Sequence, residues 1–231
     1  MTEITWHLYS NPGQMATKVA KDVGSIVNDA VVASGQALVA LPGGQSPLPI
    51  FEKLTSIPVP WGQVTVIPTD DRCVPPTSPL SNFAVLDRHF SPLGADVIPF
   101  AAGDRDHRDA AEVTDARLHQ TPWPLDLVWL GMGTDGHTAS IFPGPDLAKA
   151  LTTDARALGV MPDPLPPEAP VSRVTLSRSA ISAAAAVMLT IQGSAKRSVL
   201  EQALAEGAES ALPVGRVLAA AKGPITIHWS E

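Results

Sequence analysis

Apolar residues recur along this chain with two periods, and the switches between them mark out its elements. Ile4, Trp6 and Leu8 alternate with polar residues, which predicts a strand. Val19, Val23, Ile26, Val27, Ala30 and Val31 then follow at helical spacing. Asn11 and Pro12 suit the N-cap and first position of that helix, and Gly35 suits its stop. Ala37 to Leu41 is a short apolar strand, broken by Pro42-Gly43-Gly44. Leu48, Phe51 and Leu54 begin another helix, with Ser46 as the expected N-cap and Pro47 at its first position. Val64 to Pro68 predicts a strand. Ser81-Asn82 caps a helix through Phe83, Leu86 and Phe90. Asp96 to Phe100 is a short strand, and Asp109 to His119 a weak helical pattern.

The apolar run Leu125, Leu127, Val128, Trp129 and Leu130 is interrupted only by Asp126 and stops at Gly131, as a buried strand would. Past it, Asp154 to Val160 predicts a strand, and 161–170 is a proline-rich irregular loop. Arg173 to Leu176 leads to a helix over Ser179 to Ala184 and a strand over Ala185 to Ile191. A helix follows Gly193 through Leu200 and Leu204. A short helix from Pro213 to Ala220 precedes a last strand, Ile225 to Trp229. Strands alternating with helices predict an α/β fold with a mostly parallel sheet.

Composition narrows the function. A length of 231 residues fits one large domain or two small ones, and 45% hydrophobic residues allow a sizeable core. The formal charge of −7 argues against broad capture of nucleic acid, so a small anionic ligand would need a local basic pocket. The one cysteine, Cys73, excludes an internal disulfide and a cysteine-rich metal site. No signal-peptide pattern opens the chain and no apolar run suits a membrane span, so a soluble cytoplasmic protein is expected.

Candidate chemistry gathers in the turns after predicted strands, where α/β sheets bind ligands. Gly131, Gly133 and Gly136 surround Asp135 and His137, a carboxylate and an imidazole in a turn that lets backbone approach a ligand closely. Residues 131–136 also match GxGxxG, but Pro143-Gly144-Pro145 leaves no room for the long helix a dinucleotide site needs. Gly43, Gly44 and Ser46 suit a phosphate, although an ordinary capped βα turn reads the same way. Asp70-Asp71-Arg72 lies just past a strand, as either a site or a solvated loop. Lys196 opposes the helix dipole near its N-terminus, which a bound anion would reverse. Cys73 reads as a bystander thiol, and His7, His89, His107, His119 and His228 as surface or core filler.

Four blocks together resemble the 6-phosphogluconolactonases, in the wider group that includes glucosamine-6-phosphate deaminase. They are Leu41 to Pro47; Asp70 to Pro75 with Ser81-Asn82-Phe83; Leu130 to Pro143, the most specific; and Arg173 to Leu176 with Gly193 to Lys196. Their spread over most of the chain implies a single domain, 1–231, of Rossmann-like sugar-phosphate isomerase/deaminase type, with helices on both faces of the sheet. Gln45 stands where the family usually has Ser, and Asp71 where it usually has Glu. The deaminase branch typically has Tyr at the place of Arg72 and Asn-Glu-Pro after its Asp-Gly-His, where this chain has Ser140-Ile141-Phe142-Pro143. The lactonase branch fits better.

That resemblance implies hydrolysis of 6-phospho-D-glucono-1,5-lactone to 6-phospho-D-gluconate in the oxidative pentose phosphate pathway. His137 is then the expected general base, with Asp135 or Asp70 orienting it or binding sugar hydroxyls. Arg72 and Lys196, with Gly43, Gly44 and Ser46, would hold the phosphate; Arg173 and Gly133 are further candidates for contacting the substrate. No metal or organic cofactor is expected, and no nucleic-acid, membrane or obligatory protein partner. Three other readings are an amino-sugar-phosphate isomerase/deaminase using Asp70 as base, a non-catalytic sugar-phosphate sensor, and a dinucleotide enzyme.

Overall fold

The computed structural model describes residues 3–100 and 106–231. Among the described residues, ten strands and eight helices succeed one another in an α/β order. The strands are β1 (Ile4–Tyr9), β2 (Ala37–Leu41), β3 (Val64–Pro68), β4 (Asp70–Arg72), β5 (Asp96–Val97), β6 (Leu127–Leu130), β7 (Ala157–Val160), β8 (Arg173–Leu176), β9 (Val187–Gln192) and β10 (Ile225–Ser230). The helices are α1 (Pro12–Ser34), α2 (Leu48–Leu54), α3 (Asn82–Phe90), α4 (His107–Leu118), α5 (Leu147–Thr152), α6 (Arg178–Ser182), α7 (Ser194–Glu206) and α8 (Pro213–Ala219). None of these described helices is long and apolar enough to cross a membrane.

Seven strands form a parallel sheet in the order β1-β10-β9-β6-β2-β3-β5. Its middle strands are buried on both faces, which is why they read as unbroken apolar runs. Side chains of β2 and β6 alternate between two cores. Val39, Leu41, Leu127 and Trp129 face the core covered by α1, α2 and α3. Leu38, Ala40, Val128 and Leu130 face the core that includes α4 to α8. Truncating a fully buried leucine such as Leu38 to alanine would cost roughly 2–5 kcal/mol.

Helix ends follow local chemistry. The Asn11 side chain accepts from Gln14 N–H at 2.9 Å, Pro12 opens α1, and Gly35 closes it at φ 80°. Ser81 caps α3 by accepting from Ala84 N–H. Ser46 is not the cap of α2: Pro47, at φ −80°, takes that place, without a side-chain hydrogen bond. The Ser46 hydroxyl is thus left free for another partner. The strand expected over Asp96 to Phe100 shortens to Asp96–Val97; Gly103 to Arg108, charged and turn-like in sequence, lies partly outside the described residues.

One element departs from expectation. Asp70, Asp71 and Arg72 form β4, the edge of a second, antiparallel sheet, β4-β8-β7. Its register sets Asp70 opposite Thr175 and Arg72 opposite Arg173. This small sheet packs with α4 against the main core and brings the charged β4 beside Arg173.

The strand order reverses between β2 and β6. The chain leaves β2 toward β3 and β5, then returns to build β6, β9 and β10 on the other side. Such a switch opens a crevice at the strand C-termini. The turns after β2 and β6 carry the two glycine-rich motifs, so both motifs border it.

Candidate active site

A cavity of about 270 Å³ lies at this crevice. Gly43, Ser46, Asp70, Arg72, Gly133, His137, Arg173 and Lys196 all line it, drawn from five separate stretches of chain. Gly44 sits beside it in the β2 turn at φ 81°, which favours glycine. Asp135 lies behind His137 and lines a neighbouring cleft of about 550 Å³, walled by the prolines of the 162–167 segment.

The β6 turn is built to hold one imidazole. His137 Nδ1 lies 2.6 Å from Asp135 Oδ1, and His137 N–H donates to the same oxygen at 3.2 Å. A carboxylate accepts only, so Nδ1 carries a proton, and the lone pair of the neutral ring falls on Nε2. The hydrogen bond from His137 holds the Asp135 carboxyl below its ordinary range. Phe142 packs on the imidazole with centroids 4.2 Å apart. A Cβ on Gly133 would sit 2.3 Å from His137 Nδ1 and Cε1, so only glycine leaves room for the ring. The Gly133 N–H donates to the His137 carbonyl at 3.0 Å. Gly133 is therefore no free donor for a substrate; it shapes the turn. No helix follows directly: Thr138 and Ile141 form an isolated bridge and α5 begins only at Leu147, unlike a dinucleotide-binding turn.

The acidic block divides its work. Asp71, 2% exposed, does not line the cavity. Its carboxylate accepts from the N–H groups of Arg72, Asn82 and Phe83 and from Ser81 Oγ, at 2.7–3.1 Å. It thereby ties β4 to the N-terminus of α3. Burial pushes the Asp71 carboxyl up, while those four donors pull it down. Asp70 does face the cavity. Ser140 Oγ donates to its Oδ2, and Thr69 Oγ1 to its Oδ1 at 3.2 Å. Ser140 is aimed by Ala139, which takes the left-handed φ of 48°, and by a bond from Ser140 N–H to Thr175 Oγ1 at 3.1 Å. A non-glycine residue in that region costs energy that its surroundings must supply.

Three cations share the cavity. Arg72 Nη1 donates to the Leu80 carbonyl and Asn82 Oδ1, at 2.8 and 2.9 Å. Arg173 is 3% exposed, with its guanidinium 5.2 Å from the Phe142 ring. Both Nε groups are buried without a protein partner. Unsatisfied buried donors are costly, and a bound anion would remove that cost. Burial holds the Arg173 guanidinium below its ordinary range, with Asp70 pulling the other way. Lys196 lies in the first turn of the 13-residue α7; burial lowers it and Asp135 opposes.

Sequence reasoning missed Asn82, Ser140 and Phe142 as parts of the site. Asn82 was expected as part of a helix cap and of the second block of the resemblance, with no role for its side chain, yet it lines the cavity. Its signal was the helix itself: asparagine is a poor helix former, so a buried one at the first position asks for a side-chain role. Nothing local distinguishes Ser140, whose partner lies 70 residues away. Cys73 is half-buried, burial raises its thiol, and it does not line the cavity. Among the described residues, no cluster of three or more His, Cys, Asp or Glu is placed to hold a metal ion.

Comparison with known proteins shows the family. Residues 10–229 match the family described as glucosamine-6-phosphate isomerases/6-phosphogluconolactonase. The 6-phosphogluconolactonase of Pseudomonas aeruginosa is 36% identical over 228 residues, covering 96% of this chain and 93% of that protein. That of Rhizobium meliloti is 34% identical, covering 97% of each. The crystal structure of a 6-phosphogluconolactonase from Shewanella baltica superposes with a TM-score of 0.90 at 31% identity, over 99% of this chain and 98% of that one. The chain belongs to the glucosamine-6-phosphate isomerase/6-phosphogluconolactonase family.

Proposed function

We propose that the chain hydrolyses 6-phospho-D-glucono-1,5-lactone to 6-phospho-D-gluconate, a step of the oxidative pentose phosphate pathway. The observation that carries this reading is an imidazole, His137 with Nδ1 committed to Asp135, on the wall of a cavity holding three cations. A lactone phosphate needs both, and its relatives bear the matching name.

In this reading His137 Nε2 takes a proton from water as the water oxygen attacks C1 of the lactone. The imidazolium, stabilised by Asp135, then gives that proton to the ring oxygen as the C1–O bond breaks. Water supplies the new carboxyl oxygen, and no covalent enzyme intermediate forms. Arg72 and Lys196, the amides of Gly43 and Gly44, and the Ser46 hydroxyl hold the phosphate. Arg173 adds positive charge to the same cavity. Asp70, its oxygens fixed by Ser140 and Thr69, retains lone pairs for sugar hydroxyls.

The family also contains amino-sugar isomerases, and Asp70 would be the proton-abstracting base in that chemistry. The test is an assay of lactone hydrolysis with spontaneous hydrolysis subtracted, run beside ammonia release from glucosamine 6-phosphate. Catalysed lactone hydrolysis without ammonia release is expected. Ammonia release without lactone hydrolysis would replace this function with the isomerase one.

A further inference from the structure

Asn82 carries no charge, yet its side chain touches three parts of the site. Its Nδ2 donates to the Asp70 carbonyl at 2.7 Å, and its Oδ1 accepts from Arg72 Nη1 at 2.9 Å. It also lies over Gly43, where a Cβ would sit 2.1 Å from Asn82 Cγ. The residue is only 3% exposed and borders the cavity. We propose that Asn82 is a positioning residue that aims the Arg72 guanidinium into the phosphate end of the cavity, against the Gly43 turn. This rests on the reading of Arg72 as a phosphate ligand.

The argument is geometric. A guanidinium presents its donors in one rigid plane. Two acceptors on Nη1, Asn82 Oδ1 and the Leu80 carbonyl, fix that plane and leave Nε without a protein partner. Deleting Asn82 Oδ1 leaves one acceptor, about which the group can turn. Asn82 is itself held from behind, because its N–H donates to Asp71 Oδ1 at 2.7 Å. Asp71 grips Asn82, and Asn82 grips Arg72. Gly43 completes the set, since any side chain there would displace the amide.

The test is steady-state kinetics on 6-phosphogluconolactone and on unphosphorylated gluconolactone. Parent, Asn82→Ala, Arg72→Ala and the double variant are compared, each with its thermal midpoint. Asn82→Ala should raise KM for the phosphorylated lactone about tenfold, the scale of a lost hydrogen bond to a charged group. kcat should stay within a few-fold, and the unphosphorylated lactone should be little affected. Because Asn82 acts through Arg72, the double variant should be no worse than Arg72→Ala alone. Asn82→Ser, too short to reach Arg72, gives the same pattern should the alanine variant fail to fold. An unchanged KM, losses that multiply in the double variant, or equal losses on both lactones from Asn82→Ala where Arg72→Ala loses only on the phosphorylated one would overturn the proposal. If Arg72→Ala itself loses equally on both lactones, the phosphate reading of Arg72 fails. Positioning by Asn82 then stands only if the double variant's losses do not multiply.

Discussion

Around His137 three neighbours fix one ring: Asp135 holds Nδ1, Phe142 packs on the ring, and Gly133 leaves the space it fills. Each contact has its own test. His137→Gln should lower kcat on the lactone about 10²–10⁴-fold, the usual contribution of a general base, with the fold intact. Asp135→Asn should cost a comparable factor, because an amide can donate to Nδ1 and so favour the wrong tautomer. Gly133→Ala should behave like a weaker His137 variant, since its Cβ would push the imidazole aside. Rates within a few-fold of the parent in all three would remove His137 from the mechanism. The sequence displayed this turn plainly, because three glycines, an acid and a histidine fall within seven residues. Phe142 was not legible, since an aromatic five residues on reads equally well as core.

Among elements, those with one strong local signal were legible: α1 from its Asn-Pro start, period and glycine stop, and β2 and β6 from apolar runs ended by glycine. β4 was not, because three consecutive charged residues read as a loop. Their burial is stabilised by partners from afar, Ser140 and Thr175 among them, which no local window contains. The same limit hid the role of His228 on β10. It is 0% exposed, 2.8 Å from the Tyr9 hydroxyl of β1, stacked on His7, and 3.8 Å from Asp22 of α1. Burial lowers it to about 4, with Asp22 opposing and His7 and Lys18 adding to the depression. Above about pH 6.5 the ring is neutral both folded and unfolded, and stability does not depend on it. Between about 6.5 and about 4 the unfolded chain takes up the proton and the folded one does not. Stability should therefore fall with pH across that window, by roughly 3 kcal/mol in all. Denaturant unfolding of parent and His228→Gln at pH 7 and pH 4.5 checks this. The parent should lose more stability than the variant, and equal losses would mean that the folded ring takes up its proton as readily as the unfolded one.

For the whole molecule, the notable contrast is between a formal charge of −7 and a cavity lined by Arg72, Arg173 and Lys196. The sheet's reversal at β2 and β6 produces this. It puts both glycine turns on one crevice, while β4 and β8 deliver the arginines from the small sheet and α7 delivers the lysine. The residue types were legible as separate hints, but their meeting depends on strand order. A dianionic substrate approaches an anionic protein, so binding must come from short-range contacts within the cavity rather than from long-range attraction. α2 has only seven residues, so in the proposed phosphate site the turn amides and Ser46 would contribute more than a helix dipole. Replacing Arg72 or Lys196 with alanine should raise KM for the phosphorylated lactone strongly, because phosphate is held alike in ground and transition states. A fall in kcat as well would mean that phosphate binding also positions the lactone against His137. Gluconolactone without phosphate should be a poor substrate for the parent and lose little further in either variant. Measuring both variants and the parent on both lactones separates these outcomes. Equal losses on the two substrates would show that these cations do not read the phosphate, and would assign that end of the cavity to another group.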